Sequence, residues 1–155
     1  GEWHENETHL IPRILQAAQG GQKVQIFGTD YPTFDGTCIR DYIHVWDLAS
    51  AHAAAMDKLI DVSSDQGTFL KYNLGTENGF SVRQIIEATE KVLNKSLSVE
   101  EQDRRPGDPP KLVADSTLAR KELDFNPSFS QVDTVLQSAW QWELKRTELQ
   151  KKRNK

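Results

Sequence analysis

Apolar residues recur at intervals of three and four positions along much of the chain, a spacing that places them on one face of a helix. This pattern predicts a first helix from about Thr8 to Ala18, which the glycines at positions 20 and 21 end. It predicts a second helix with Asp47 in its first turn, where a carboxylate favours the exposed amide groups. The inward face of the second helix is expected to carry four apolar residues: Leu48, Ala51, Ala55 and Leu59.

The strongest helical pattern covers residues 80–93, and its inward face is expected to carry Val82, Ile85, Ile86, Thr89, Val92 and Leu93. Within it, Ser81 and Gln84 have the spacing of a capping box, in which each side chain satisfies a backbone amide of the other residue. Two further helices are predicted at residues 116–123 and 130–144. The inward residues of the last helix are expected to be Val132, Val135, Leu136, Ala139 and Trp140.

Short runs rich in β-branched and aromatic residues predict strands between these helices. The predicted strands cover residues 23–27, 38–45, 68–75 and 96–102. Two loops separate them, a turn-rich one at 28–37 and a second at 104–110, whose prolines exclude both a helix and a central strand. The alternation of strands and helices favours an α/β architecture.

Charge is distributed unevenly along the 155 residues. The formal net charge is −4, but residues 145–155 hold six basic residues and one acidic residue. We therefore divide the chain into a domain at 1–144 and a basic C-terminal tail at 145–155. Because no aromatic residue is interleaved in the tail, we interpret it as a solvated helix end rather than a nucleic-acid or membrane contact.

Composition narrows the environment further. The chain has no apolar run near the ~20 residues that a membrane span needs, and its first residues lack the character of a signal peptide. A single cysteine, Cys38, excludes an internal disulfide and fits a reducing compartment. We therefore expect a cytoplasmic protein with no membrane or nucleic-acid partner.

Candidate chemistry lies in the two loops that folding alone does not explain. Arg40 follows the first loop, and Arg105 and Asp108 lie in the second. The planar guanidinium group suits phosphate oxygens, and a carboxylate suits the two hydroxyl groups of a ribose. The three residues would fit a nucleoside diphosphate, although surface pairs of arginine and aspartate are common and a purely structural role is an open alternative.

Several common catalytic motifs are absent from the sequence. The nine glycines form neither a dinucleotide fingerprint nor a phosphate-binding P-loop. No tyrosine is followed four positions later by lysine, and the four histidines lack metal-ligand companions at useful spacing. We expect no metal, interpret His44 and His52 as structural, and interpret Cys38 as a small buried apolar residue.

Five segments in this order and spacing resemble the C-terminal half of UDP-glucose 4-epimerases, which are extended short-chain dehydrogenases/reductases. The segments cover residues 7–18, 24–52, 72–75, 80–86 and 104–115, and the resemblance extends over about 1–144. It implies an α/β fold, the C-terminal substrate-binding part of an extended Rossmann-type enzyme without the glycine-rich NAD-binding half. Phe34 and Leu112 depart from the family pattern at positions expected near the sugar.

The resemblance also implies roles for nine residues. Arg40 and Arg105 would hold the diphosphate, so that the expected partner of Arg40 is a phosphate rather than a protein carboxylate. Asp108 would accept from the ribose hydroxyls, and Tyr42 would line the pocket. The remaining residues are His9 and Leu10 beside the diphosphate, and the backbone of Gln25, Ile26 and Phe27 at the edge of the uracil.

In this family, the glycine-rich turn and the Tyr-x-x-x-Lys base lie in the N-terminal half. The resemblance therefore implies a UDP-glucose/UDP-galactose-binding portion that uses NAD only in the complete enzyme and is inactive alone. A non-catalytic UDP-sugar-binding remnant and a degenerate interaction module are the alternatives. Since residues 44–59 and 71–75 complete the nucleotide-domain sheet in the family fold, we expect a homodimer or a missing N-terminal half to cover them.

Overall fold

Helices and strands alternate along the chain in the computed structural model, which describes residues 4, 6–62 and 67–153. Across these residues the elements are α1 (Leu10–Gly20), β1 (Val24–Phe27), β2 (Ile39–Asp41), α2 (Val45–Val62), β3 (Gly79–Ser81), α3 (Val82–Leu93), β4 (Val99–Gln102), β5 (Lys111–Leu112), α4 (Thr117–Leu123) and α5 (Val132–Arg153). The predicted α/β class is confirmed. No helix of the described ranges is long and apolar enough to cross a membrane.

The strands form two small sheets. β1 pairs in parallel with β4, with Phe27 opposite Gln102. β2 lies between β3, which is antiparallel to it, and β5, which is parallel to it. Since β4 and β5 are joined by residues 103–110 and β1 and β2 by residues 28–38, these two connections run side by side.

The main hydrophobic core lies where α1, α3 and α5 pack together and against β1. Ile14, Ile85 and Leu136 are completely buried there. The predicted inward residues of α3 and α5 all pack in or against this core. The capping box of α3 is also confirmed, since Ser81 accepts from the Gln84 amide and the Gln84 side chain accepts from the Ser81 amide.

A glycine ends α1 where the sequence predicted the helix to stop. Gly21 has φ +69°, a left-handed conformation that costs glycine little and any other residue more. The tight end lets the chain turn back at once into β1. The side chain of Arg13, on α1, therefore lies against the side chain of Gln25, on β1.

Two strand predictions need correction. Residues 68–75 do not form a strand, because no segment among the described residues pairs with them, and a β-strand requires a neighbour for its hydrogen bonds. The strand predicted at 38–45 is limited to Ile39–Asp41, because only these residues pair with β3. The two-residue β5 was not predicted.

Two helix predictions also need correction. Leu59 does not face inward but is 39% exposed, because the contacts of α2 with the smaller second core around Ala51, Leu123 and Phe125 end at Ala55. The last helix does not end at Leu144 but continues to Arg153. An ion pair between Glu143 and Arg146 spans the predicted end and supports the continuation.

Asp47 connects the start of α2 to the segment that precedes α5. Its carboxylate is buried and accepts hydrogen bonds from the Phe129 amide at 3.0 Å and the Ser130 hydroxyl at 2.5 Å. The Ser130 hydroxyl in turn accepts from the His44 amide at 2.8 Å. The ring of His44 bonds to Ser138, which supports its predicted structural role. This network holds the start of α2 against α5 and the segment that precedes it.

Replacing Asp47 is expected to destabilise the fold more than replacing an exposed acidic residue on the same helix. Because a buried hydrogen bond to a charged group contributes about 1.5–3 kcal/mol, we expect Asp47→Ala to lower the free energy of unfolding by about 2–4 kcal/mol. Urea denaturation would measure the change. Asp57→Ala is the matched control, because Asp57 is exposed on the same helix; equal effects of the two variants would contradict the role of Asp47.

Candidate functional site

The loop at 104–110 and the strand that follows the loop at 28–37 border a cavity of about 900 Å³. Eight of the nine predicted site residues line it: His9, Leu10, Gln25, Phe27, Arg40, Tyr42, Arg105 and Asp108. The ninth, Ile26, is 1% exposed and packs in the main core. The volume lies within the range of about 300–1,000 Å³ that is usual for small-molecule sites.

The open edge of β1 forms one wall of this cavity. The amide of Val24 donates to the carbonyl of Ser98, just before β4, at 2.8 Å, and that of Gly28 donates to the carbonyl of Gln102 at 2.9 Å. In a parallel pair, alternate residues face the same neighbour, so the backbone groups of Gln25 and Phe27 point to the opposite edge. No other strand of the described residues pairs there. By the same alternation the backbone groups of Ile26 face β4, and its side chain packs in the main core instead of lining the cavity.

Two arginines flank the ring of Phe27. The guanidinium carbon of Arg105 lies 3.9 Å from the ring centroid, and that of Arg13 lies 5.9 Å away. Arg13 also donates a hydrogen bond to the side-chain oxygen of Gln25 at 2.9 Å. The contact with the Phe27 ring holds Arg105 against β1, although Arg105 belongs to a loop that is far away in sequence. Arg13 is not among the predicted site residues, because nothing in the spacing of the first helix sets it apart from other surface arginines.

Arg40 has a carboxylate partner in the structure, which corrects the expectation that its partner would be a phosphate alone. Its guanidinium group pairs with Oδ1 of Asp108 and donates to the Ile39 carbonyl at 2.7 Å. The other oxygen, Oδ2, lies 3.6 Å from the thiol of Cys38. The parallel pairing of β2 with β5 brings these residues together. Cys38 is buried as predicted, and it also lines the cavity.

Asp41 fixes the strand that carries Arg40. Its carboxylate accepts from the amides of Thr76 at 3.0 Å, Glu77 at 3.2 Å and Ala114 at 3.3 Å. A side chain at position 75 would collide with this carboxylate, so only glycine fits at Gly75. Asp41 is thus a structural anchor rather than a ligand-binding group.

The loop at 28–37 is held by Asp35. Its carboxylate accepts from the Thr37 amide at 2.9 Å and the Thr37 hydroxyl at 2.8 Å, and also from the Ser81 hydroxyl. Burial acts to raise the pKa of Asp35, but the hydrogen bonds from Ser81 and Thr37 outweigh it and leave the pKa below its ordinary value. The ionised carboxylate therefore joins this loop to the start of α3.

His9 lies at the start of α1, where Glu7 orients it. The carboxylate of Glu7 accepts from the His9 amide and contacts the ring nitrogen Nδ1, both at 2.8 Å. Burial acts to raise the pKa of Glu7, but these contacts with His9 lower it overall. Potential metal-ligand atoms of His4, Glu7 and His9 lie within 4.8 Å of one another. No metal site was predicted from the spacing of these residues in the sequence. The bonds between Glu7 and His9 give the grouping a structural explanation.

Positive charge predominates around the cavity. Five of the lining residues are basic, Arg13, Lys23, Arg40, Arg105 and Arg146, and three are acidic, Glu7, Asp41 and Asp108. One carboxylate, Asp41, is occupied by backbone amides. The cavity therefore favours an anionic ligand. Phe34 and Leu112 are 70% and 54% exposed and do not border the cavity as the structure describes it.

The chain belongs to a known family. The family model for GDP-mannose 4,6 dehydratase matches residues 3–137, so the chain belongs to this family. It is 43% identical over 149 residues to a UDP-glucose 4-epimerase of Rhizobium meliloti (strain 1021), which covers 96% of this chain and 44% of that protein. It is 46% identical over 143 residues to a UDP-glucose 4-epimerase of Streptococcus mutans serotype c, which covers 92% of this chain and 42% of that protein.

A solved structure agrees with these relatives. The UDP-glucose-4-epimerase from Stenotrophomonas maltophila, with bound NAD and formylated UDP-arabinopyranose, superposes with a TM-score of 0.86. Its sequence is 37% identical, and the match covers 96% of this chain and 43% of that chain. The predicted resemblance to the C-terminal part of UDP-glucose 4-epimerases is confirmed. The chain spans less than half the length of the relatives it matches.

Tyr42 provides a test of the cavity wall. Burial raises the pKa of Tyr42 to about 12, against a smaller opposing effect of Arg40. Since the folded pKa lies above the ordinary value of 10.0, folding favours the protonated phenol. Its contribution to stability is complete below about pH 10 and declines as the pH rises towards 12.

We therefore expect the native protein to lose about 1 kcal/mol of stability relative to Tyr42→Phe between about pH 9 and 11. Chemical denaturation at several pH values would measure this difference, because phenylalanine fills the same space without titrating. Parallel stability curves for the two proteins would show that Tyr42 is solvated rather than part of a buried wall.

Proposed function

We propose that this chain forms the UDP-sugar-binding part of an NAD-dependent UDP-glucose/UDP-galactose 4-epimerase. The observation that carries the proposal is the convergence of Arg40, from strand β2, with Arg105 and Asp108, from the distant loop at 104–110, beside the open edge of β1 in one basic cavity. The similarity to UDP-glucose 4-epimerases supports the choice of ligand. A purely structural pairing of these residues would not require an adjoining open strand edge.

The three residues retain bonding capacity for a nucleoside diphosphate. Two bonds, to Asp108 and to the Ile39 carbonyl, use two of the five N–H donors of Arg40, so a phosphate oxygen has donors to engage. On Asp108, Oδ2 faces only the weak thiol donor of Cys38 at 3.6 Å. A ribose hydroxyl is a stronger donor and would replace it. The nucleobase would pair with the backbone groups of Gln25 and Phe27, while His9, Leu10 and Tyr42 complete the walls.

The residues of this chain do not fit NAD. Its sequence contains no dinucleotide fingerprint. The first amides of α3, the helix that directly follows β3, are satisfied by the side chains of Ser81 and Thr37 rather than turned towards a phosphate. We therefore propose that NAD belongs to the complete enzyme, that this chain alone holds none, and that it is inactive without the remainder of the enzyme. A UDP-sugar-binding remnant without catalysis is the second candidate, favoured by the same cavity, and a degenerate interaction module is the third.

An exposed apolar stripe on α2 is the proposed contact with a partner. Trp46, Met56 and Ile60 are 63%, 60% and 66% exposed, and Ala49 and Ala53 continue the stripe at helical spacing. We propose that a second copy covers it in the isolated chain, and that the N-terminal half covers it in a complete enzyme.

The proposed domain comprises residues 1–144, and residues 145–155 form a basic C-terminal tail. We also propose a cytoplasmic location for the protein.

Calorimetric titration with UDP tests the binding site. We expect micromolar affinity, and we expect Arg105→Ala to weaken it by about 1.5–3 kcal/mol, as loss of a charged hydrogen bond does. Arg104→Ala is the matched control, since Arg104 pairs with Asp30 and does not line the cavity. Equal losses in both variants would point to general electrostatics, and absence of binding at millimolar UDP would overturn the proposal.

An activity assay separates the first two candidates. The epimerase portion is expected to show no turnover of UDP-galactose alone and to gain activity when an NAD-binding half is supplied with NAD. A remnant would bind UDP and gain no activity.

Sedimentation velocity tests the apolar stripe. We expect the chain to dimerise at micromolar concentration and Met56→Lys to shift it to monomer, because a charge at the centre of the stripe would be desolvated on association. Phe34→Ser removes an equally exposed apolar residue elsewhere and should leave the dimer intact. A monomeric wild-type protein would refute this association.

A further inference from the structure

The interaction between Arg13 and Gln25 fixes the orientation of an amide group beside the open edge of β1. Arg13 donates to the side-chain oxygen Oε1 of Gln25 at 2.9 Å. Because a guanidinium group has donors and no acceptor, it selects this oxygen and turns the NH2 group of the amide away from itself. Both residues line the cavity, and the Arg13 guanidinium also lies 5.9 Å from the ring of Phe27.

The backbone edge alone would not distinguish one nucleobase from another. Gln25 and Phe27 together present carbonyl acceptors and amide donors to the cavity. Uracil can use such an edge through its N3–H and a neighbouring carbonyl oxygen. Cytosine can use it equally well through its amino group and the adjacent ring nitrogen. Selectivity therefore needs side-chain groups at the same place.

The side chains available there offer donors. The Arg13 guanidinium has only donors, and the end of the Gln25 amide that faces away from Arg13 is its NH2 group. Uracil carries a carbonyl oxygen on each side of its N–H, so both flanks accept hydrogen bonds. Cytosine replaces one carbonyl with an amino group, which would place N–H groups against N–H groups. A site with buried unmatched donors rejects such an analogue.

We infer that Arg13 is a specificity-determining residue that selects uracil over cytosine. It holds the side-chain oxygen of Gln25 towards itself and so leaves the NH2 group of the amide for the nucleobase. The inference rests on the proposed function, since it assumes that a nucleoside diphosphate occupies the cavity. Without Arg13 the Gln25 amide would be free to reverse, and its oxygen would then accept from a cytosine amino group.

Titration of the full chain with UDP and with CDP tests the inference. The two ligands carry the same diphosphate, so changes in general electrostatics cancel in the ratio of their affinities. We expect wild-type protein to prefer UDP at least about tenfold, the effect of one well-formed hydrogen bond to a charged group. Arg13→Met should reduce the preference to within about threefold.

Lys23→Met is the matched control. Lys23 also lines the cavity, so its replacement removes one charge from the same walls without touching Gln25. It should weaken UDP and CDP equally and leave their ratio unchanged. Thermal unfolding of both variants separates the ratio from any loss of stability when the contact between α1 and β1 is removed.

The possible failures are distinguishable. If wild-type protein binds UDP through Arg105 but binds CDP equally well, or if Arg13→Met keeps the original ratio, the inference on Arg13 is overturned and the proposed UDP site stands. If neither nucleotide binds, both the inference and the proposed function are overturned.

Discussion

Two parallel strand pairings hold the candidate site together. β1 pairs with β4 and β2 pairs with β5, so the connection from β1 to β2 must lie beside the connection from β4 to β5. The first carries the turn-rich loop that leads to Arg40, and the second carries Arg105 and Asp108. A ligand cavity arises where these connections leave the carboxyl ends of their strands, as is usual when parallel strands diverge.

Competition between partners for the same charges follows from this arrangement. Arg40 and Asp108 are brought close enough to pair with each other, and Arg105 lies on the ring of Phe27. A charge that is partly removed from water and has no partner costs free energy, and the pairing avoids this cost. An anionic ligand would therefore act on a site whose charges are already arranged, and its binding would depend on redistributing existing bonds.

The region formed by α2 and residues 68–75 is less completely packed than the candidate site. The exposed stripe on α2 has no covering element among the described residues, and the segment at 68–75 has extended-strand composition but no paired neighbour. Both features are explained if further polypeptide packs against them. The relatives that this chain matches are more than twice as long as it is. The stability of α2 consequently depends on Asp47 and its bonds to the segment before α5.

Local chemistry determined much of this protein from sequence alone. The capping box of α3, the glycine that ends α1, the inward faces of α3 and α5, and the loop character of residues 104–110 depend on neighbours within a few positions, where spacing carries the information. The resemblance also identified eight residues that line one cavity. Only the tertiary structure decided which groups meet. It paired Arg40 with Asp108, directed Ile26 away from the site, and brought Arg13 to Gln25. It also left residues 68–75 without a neighbouring strand among the described residues. These outcomes depend on strand register and on which strand edges stay open, and such contacts between distant residues leave no periodic signal in the sequence.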